Sequence, residues 1–412
     1  MSFFTIVGGT PLNGSLTVQG AKNSVLPILA AAVLCPEPCI IHNCPSLSDV
    51  TASVSILEHL GCPVKREGNT LIIDPSQPTS CSIPDDLMRE MRSSILFLGS
   101  ILGRMSRAEL SYPGGCELGP RPVDLHLAAM RSLGAHIQDG AGGLHCSASQ
   151  LTGCDITLPL PSVGATENAM LAAVAAQGTT TIFNAAREPE ITDLQNFLCA
   201  LGARISGGGT STVTIEGGSP LHGGEYTVMG DRIAACTYLS AAAAAGGDIQ
   251  LTGVDWRHLS VVTALFREAG CTVTSRQDQV RLICKGPLKS VRPVRTAPYP
   301  GFPTDAQAPV MAALCTARGT TLFIETIFSS RYRHVDELLR MGADIRTEGQ
   351  LAILTGVKRL HSARGLSHDL RGGAALTVAA LGAEGVSEVW GLEHIDRGYF
   401  AFDSNLRSLG AH

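Results

Sequence analysis

The sequence predicts an α/β protein of two domains, each assembled from three repeated βα units with buried helices. Three observations carry this: a phrase that recurs six times, a second element that recurs in phase with it, and a likeness between the start and the middle of the chain. The phrase reads LEHLGCPV, MRSLGAHI, LCALGARI, FREAGCTV, LLRMGADI and LRSLGAH, with glycines at Gly61, Gly134, Gly202, Gly270, Gly342 and Gly410, 68 to 73 residues apart. Each copy has the form of the last turns of an amphipathic helix, a glycine cap in the left-handed region and the start of a strand.

The second element is a small-residue helix, a Gly or Pro turn and a strand, as in ILAAAVLCPEPCIIHNC, LGSILGRMSRAELSY, MLAAVAAQGTTTIFNAA, LSAAAAAGGDIQLTGV, MAALCTARGTTLFIETI and TVAALGAEGVSEVWGL. Helices apolar on every side belong in an interior covered by other layers. Each unit therefore has one buried helix and one outer helix.

The third observation places the domain boundaries. FTIVGGTPLNGSLTVQGAKNSVLPILAAAV parallels VTIEGGSPLHGGEYTVMGDRIAACTYLSAAA, yet the sixth unit reaches His412 before its own strands are written. The N-terminal strands are expected to complete unit six, giving a discontinuous domain, 1–21 plus 230–412, and a continuous one, 22–229. Crossings near Gly20 and Gly230 would serve as hinges. A single rigid solenoid of six units is the competing architecture.

With 412 residues, 44% of them hydrophobic, the chain can bury cores of this size. Its net charge of -5 is spread without long runs, which argues against a nucleic-acid or membrane face and for small-molecule partners, with no obligate protein partner. The N-terminus lacks a basic region followed by a long apolar stretch, and the apolar run Val25 to Leu34 contains Pro27 and is too short to span a bilayer. A cytoplasmic protein is expected. The 13 cysteines, scattered at apolar positions such as Cys199, Cys236, Cys284 and Cys315, fit reduced thiols. In CPEPCIIHNC, the set Cys35, Cys39, His42 and Cys44 raises zinc as an alternative, but it lacks a CxxC knuckle and reads as a turn followed by a strand. SGGGTS at 206–211 lies between two strand-like runs with no helix after it, so a hairpin turn is expected there. No metal and no tightly bound cofactor are expected.

Chemistry is sought at the start of each buried helix, where backbone N–H groups and the helix dipole favour anions. Those positions hold Lys22, Arg92, Gly164, Arg232, Asp305 and Arg371. A cation there opposes the dipole by roughly 0.3–1 kcal/mol, so its repeated use points to an anionic ligand. That inference is stronger for Lys22, Arg92 and Arg371 than for Arg232. Asp305, from position alone, reads as a cap, and SVGAT around Gly164 as a turn suited to a phosphate or sugar nucleotide. The segment YPGGCELGPRPVDLH, 112–126, is expected to be an exposed loop and a candidate lid. Cys116 beside Arg121 is either a thiol of lowered pKa or an idle cysteine, and the residues alone leave both open.

Seven motifs in order resemble one family: GAKNSVLP at 20–27, PGGCELGPRPVDLH at 113–126, SVGATEN at 162–168, NAAREPEI at 184–191, PGFPTDAQA at 300–308, DLRGGAAL at 369–376 and HIDRGY at 394–399. By these, over essentially the whole chain, it is similar to the UDP-N-acetylglucosamine 1-carboxyvinyltransferases, enolpyruvyl transferases that open peptidoglycan synthesis. The resemblance implies an inside-out α/β barrel architecture and an active site between the domains. It implies transfer of the enolpyruvyl group of phosphoenolpyruvate to the 3-hydroxyl of UDP-N-acetylglucosamine by addition and elimination. It assigns phosphoenolpyruvate to Lys22, Arg121 and Arg397, the tetrahedral intermediate to Asn23, the general acid to Cys116 and the base to Asp305. Cys116 would also react with a thiol-directed epoxide such as fosfomycin. The sugar nucleotide would meet Arg92, Arg121, Pro122, Val123, Asp124, Leu125, Ser162, Val163, Gly164, Asp305 and Ile327, with Asp369 and Arg371 lining the cleft on the other domain; Arg232 joins the substrate site from its place at a helix start alone.

Three features depart from the family pattern: Ser329 and Ser330 replace an acidic residue and an asparagine, Leu160 stands where some members carry lysine, and the C-terminus is shorter. They allow a paralogue with a different acceptor nucleotide; the rival readings are the related transferase acting on shikimate 3-phosphate, against which the Cys116 loop and SVGAT argue, and a catalytically silent nucleotide-binding paralogue.

Overall fold

One repeat unrolls as a strand, a buried helix, a second strand, an outer helix and a hairpin. The structure, a computed structural model, describes residues 2–114, 123–140 and 143–412. All six repeat glycines have φ between 86° and 104°, the left-handed cap their phrase called for. The buried helices are α1 (Lys22–Ala32), α2 (Phe97–Met105), α3 (Val163–Val174), α4 (Arg232–Ala245), α5 (Thr304–Leu314) and α6 (Leu370–Gly382). In α1 every residue except Asn23 is buried, as the all-round apolar sequence requires.

The chain divides into two units, one of residues 2–19 and 230–412 and the other from 20 to 229. In the second, Cys39–His42, Arg107–Leu110 and Gly178–Phe183 are the inner strands of three sheets. Each is flanked on one side by a short parallel strand, Gly224–Thr227, Ser82–Ile83 or Asp155–Thr157, and on the other by an antiparallel hairpin. Arg204–Ser206 and Thr212–Gly217 form the hairpin around SGGGTS. In the first unit the inner strands are Gly247–Thr252, Thr320–Ile324 and Val386–Trp390.

The N-terminal strands divide their pairing. Phe3–Val7 runs antiparallel to Val386–Trp390 and completes the sixth sheet. Leu12–Thr17 instead pairs parallel with Gly247–Thr252 of the fourth unit. In each unit the strand that leads into a buried helix comes from one place in the chain and its partner from another: the stretch before α1 joins the sheet after α4, and Gly224–Thr227, before α4, joins the sheet after α1. Among the described residues the six sheets remain separate and open, so the helices-inside arrangement is reached without a closed barrel.

In the first unit α4, α5 and α6 pack on one another. Small residues set the spacing: a Cβ on Gly382 of α6 would stand 2.8 Å from the Ala244 carbonyl of α4. In the other unit a Cβ on Gly99 of α2 would lie 2.5 Å from the Asn168 carbonyl of α3. Among the described residues no helix is long and apolar enough to cross a membrane. Cys35 donates its S–H to the His222 carbonyl and Cys39 to that of Glu37, while His42 Nδ1 meets Thr70 Oγ1 at 3.0 Å.

Candidate active site

In the unit of residues 20–229, α1 opens at Ala21, which supplies no capping side chain, and carries Lys22 and Asn23 in its first turn. Lys22 is 9% exposed, and its ammonium lies 2.6 Å from Asp49 Oδ2 at the start of the helix Ser48–His59. Asn23 is exposed. Buried ammonium and carboxylate stabilise one another only if both keep hydrogen-bonding partners, so this pair fixes where the charge of Lys22 sits.

Arg92 begins a short 3-10 turn, Arg92–Leu96, ahead of α2. Ser94 Oγ closes this turn by donating to the carbonyls of Met88 and Met91, both at 2.9 Å. Asn168 of α3 staples it from below, accepting from Gly99 N at 2.7 Å and donating Nδ2 to the Ile95 carbonyl at 2.9 Å and to His126 Nδ1 at 3.0 Å. Burial, then the charge of Arg92, pushes the His126 imidazole down to about 4, so it is neutral. With Nδ1 accepting from Asn168, the network assigns the ring proton to Nε2. That edge faces Gly164, where an added Cβ would lie 3.3 Å from Nε2 and 3.0 Å from Cε1. Ser162 caps α3 by accepting from Ala165 N at 3.4 Å. Ser162, Val163 and Gly164 are half-buried, Leu125 likewise, Asp124 exposed and Val123 buried. Leu160 is 54% exposed. Cys116, Arg121 and Pro122 lie outside the described residues.

In the unit containing 230–412, Asp305 does not cap α5. The N-cap is Pro303, with no side-chain cap bond, and the Asp305 carboxylate lies between two guanidinium groups. Arg331 Nη2 donates to Asp305 Oδ1 at 2.7 Å and to the Thr304 carbonyl at 3.1 Å. Arg371 donates Nε and Nη2 to Asp305 Oδ2 at 3.2 and 3.0 Å, and Nη1 to Tyr399 Oη at 3.0 Å. Tyr399 Oη in turn meets Thr237 Oγ1 of α4 at 2.8 Å. Arg331 and Arg371 are each 3% exposed. Asp369 caps α6, its Oδ1 accepting from Arg371 N and Gly372 N, both at 3.0 Å. Glu325, buried, orders the loop bearing Ile327: it accepts from Ile327 N at 2.8 Å, Phe328 N at 3.1 Å and Thr296 Oγ1 at 3.0 Å. Arg232 has its guanidinium over the Tyr299 ring at 5.7 Å, and Arg397 is half-buried beside the loop that Gln19 holds through Gly398 and Phe400.

The structure thus gathers Asp305, Arg371 and Asp369 into one network, and Arg92, Gly164 and its neighbours into another. Sequence reasoning did not single out Arg331, Asp49, Asn168, Glu325 or Tyr399. Tyr399 and Asn168 lay inside quoted motifs, and Arg331 directly after the noted departure at Ser330, so proximity was the one available signal. The chain matches the family model described as EPSP synthase (3-phosphoshikimate 1-carboxyvinyltransferase) over residues 6–406. UDP-N-acetylglucosamine 1-carboxyvinyltransferase 2 of Caldanaerobacter subterraneus subsp. tengcongensis is 48% identical, covering 100% of this chain and 99% of the relative. The UDP-N-acetylglucosamine 1-carboxyvinyltransferase of Acinetobacter baylyi is 45% identical, covering 100% and 99%. Among solved structures, the enolpyruvyl transferase NikO from Streptomyces tendae superposes with TM-score 0.90 at 25% identity, covering 100% of this chain and 98% of that one. EPSP synthase from Acinetobacter baumannii shares the fold, with TM-score 0.75 at 21% identity and the same coverage.

Proposed function

This chain belongs to the EPSP synthase (3-phosphoshikimate 1-carboxyvinyltransferase) family, and we propose that it transfers the enolpyruvyl group of phosphoenolpyruvate to the 3-hydroxyl of UDP-N-acetylglucosamine, releasing phosphate. The observation that carries the choice of acceptor is full-length similarity, 42% to 48% identical, to relatives named for that reaction. Its place is the first committed step of peptidoglycan synthesis, in the cytoplasm, with two small-molecule substrates and no cofactor.

The residues divide the work as follows. Lys22, Arg121 and Arg397 bind phosphoenolpyruvate, their charges matching its phosphate and carboxylate. The acceptor hydroxyl attacks C2 of phosphoenolpyruvate while Cys116 supplies a proton to C3, giving a tetrahedral intermediate against Asn23. Return of a proton from C3 to the Cys116 thiolate and cleavage of the bond between C2 and the phosphate oxygen then release phosphate, which carries away the proton first taken from the hydroxyl. Asp305 takes the proton of the attacking hydroxyl. An alcohol is too weak an acid to lose its proton ahead of attack, so transfer to Asp305 accompanies C–O bond formation. That makes the orientation of the Asp305 carboxylate decisive, and the fork of Arg331 and Arg371 supports such a role. The half-buried turn Ser162–Gly164, with the edge of neutral His126 behind it, suits the sugar nucleotide.

The test is phosphate release from phosphoenolpyruvate with each acceptor. Turnover is expected with UDP-N-acetylglucosamine. Turnover with shikimate 3-phosphate alone would replace the proposed acceptor, and saturable nucleotide binding without turnover under any condition would remove the catalytic assignment.

A further inference from the structure

The two halves of the sequence start their first buried helix differently. VMGDRIAAC places Asp231 at the N-cap of α4, where Oδ1 accepts from Ile233 N at 2.8 Å and Ala234 N at 2.9 Å. The parallel segment VQGAKNSVL has Ala21 at the same position, so α1 begins with no capping side chain. A carboxylate is nonetheless present, delivered from elsewhere. Asp193, on the outer helix Pro189–Ala200, is 6% exposed and accepts three hydrogen bonds behind the first turn of α1. Its Oδ2 accepts a short bond from Ser24 Oγ and one from Met229 N at 3.3 Å, and its Oδ1 accepts from Tyr226 Oη at 2.6 Å. The ring of contacts closes through Ala21 N, which donates to the Met229 carbonyl at 2.8 Å. At the position of the second half that corresponds to Asp193, counted from the repeat glycines Gly202 and Gly410, stands Ala401. The carboxylate is at the cap in one half and behind the turn in the other.

Physics explains why the exchange would matter. A capping aspartate consumes first-turn N–H groups and places a negative charge where an anion would bind. Removing it weakens the start of the helix. A carboxylate that grips Ser24, Met229 and Tyr226 from the protected side recovers anchorage without occupying the anion face.

We propose that Asp193 is a positioning residue for phosphoenolpyruvate binding: by tying Ser24 and the Tyr226–Met229 segment together, it holds the first turn of α1, and with it Lys22 and Asn23, in place for the phosphate. This rests on the reading that Lys22 binds that substrate.

The test compares KM for each substrate, by phosphate release, with thermal unfolding, in the wild type and in Asp193→Ala, Asp193→Asn and Ser24→Ala. Turnover by the wild type with UDP-N-acetylglucosamine decides the underlying reading first, and its absence would sink that reading rather than the role of Asp193. In Asp193→Ala, loss of hydrogen bonds to a charged group is expected to raise KM for phosphoenolpyruvate about tenfold or more, with KM for UDP-N-acetylglucosamine within about twofold. Asp193→Asn is expected to recover most of the loss, because its amide oxygen can accept from Ser24 and Met229 while its N–H donates to Tyr226. Ser24→Ala, too small a change to unfold the protein, is expected to raise the same KM by a few-fold and no other parameter. The role is overturned if the folded Asp193→Ala and Ser24→Ala variants leave KM for phosphoenolpyruvate unchanged. It is equally overturned if both KM values rise together in step with a falling Tm, which is what a purely structural group would produce.

Discussion

Replacing Arg331 with methionine separates its contribution to folding from its contribution to chemistry. The guanidinium gives Asp305 Oδ1 a 2.7 Å bond and the Thr304 carbonyl one at 3.1 Å, while among the described residues its buried Nε has no hydrogen-bond partner. Losing a charge-assisted bond costs about 1.5–3 kcal/mol, and removing an unsatisfied buried donor returns about 1–3 kcal/mol. Asp305 keeps Arg371 at 3.0 Å, and its side chain is 27% exposed, so its charge is not stranded. These terms nearly cancel, and Tm should move by only a few degrees. Catalysis has no such compensation. A carboxylate held from one side rather than two turns away from the attacking hydroxyl, and a misplacement of about 1 Å costs about a hundredfold in rate. Steady-state phosphate release should therefore show kcat down by about that factor, with UDP-N-acetylglucosamine affinity, measured by calorimetry, nearly unchanged. Wild-type kcat in a folded Arg331→Met protein would refute the claim that this arginine orients Asp305.

Asp305→Asn should abolish measurable turnover yet retain sugar-nucleotide binding, and Cys116→Ala should do the same while removing labelling by fosfomycin. Mass spectrometry locating that label on another cysteine would count against Cys116 as the reactive thiol. Gly164→Ala should weaken UDP-N-acetylglucosamine binding about tenfold, because its Cβ would press on His126 from 3.0 Å; unchanged affinity by calorimetry would show that the turn does not meet the nucleotide. Burial pushes both His126 and His334 down to about 4, against about 6.5 in an unfolded chain. Each binds a proton more readily unfolded, so its contribution to stability is complete above pH 6.5 and is lost as pH falls towards 4, by about 3 kcal/mol at most for each. Among the described residues neither His334 ring nitrogen has a hydrogen-bond partner of good geometry, so denaturant titrations of His334→Leu from pH 7 to pH 4 should show a shallower acid loss; an equally steep one would assign the acid sensitivity elsewhere.

The repeat made most of the fold legible because it was written twice over, once in glycines that must take positive φ and once in small residues that must be buried. Pairing was harder to read. That Phe3–Val7 closes one sheet and Leu12–Thr17 opens another depends on which edges are vacant in three dimensions, and strand composition carries no record of that. The site divided in the same way. Lys22, Arg92 and Arg371 stood out because a cation at a helix start contradicts the dipole, whereas Arg331 sits in a loop where arginine contradicts nothing.

Asp305 shows how far position alone can mislead. An aspartate in the first turn is ordinarily read as a cap, and here it is engaged by Arg331 and Arg371 while Glu325 takes the local backbone donors of Ile327 and Phe328. A second sequence feature marks the same residue. Pro309 lies four positions after Asp305 in α5, and Pro27 four after Asn23 in α1. Each proline removes the N–H that would otherwise bond the carbonyl of the residue four before it. A proline inside a helix costs about 3 kcal/mol unless surrounding packing absorbs it, and its matching placement behind these two residues, in helices of different units, has no basis in helix propensity. The first turns of α1 and α5 are therefore held by tertiary contacts, Asp193 and Asp49 in one and Arg331 and Glu325 in the other. Substituting those anchors should disturb the substrates before it disturbs the fold.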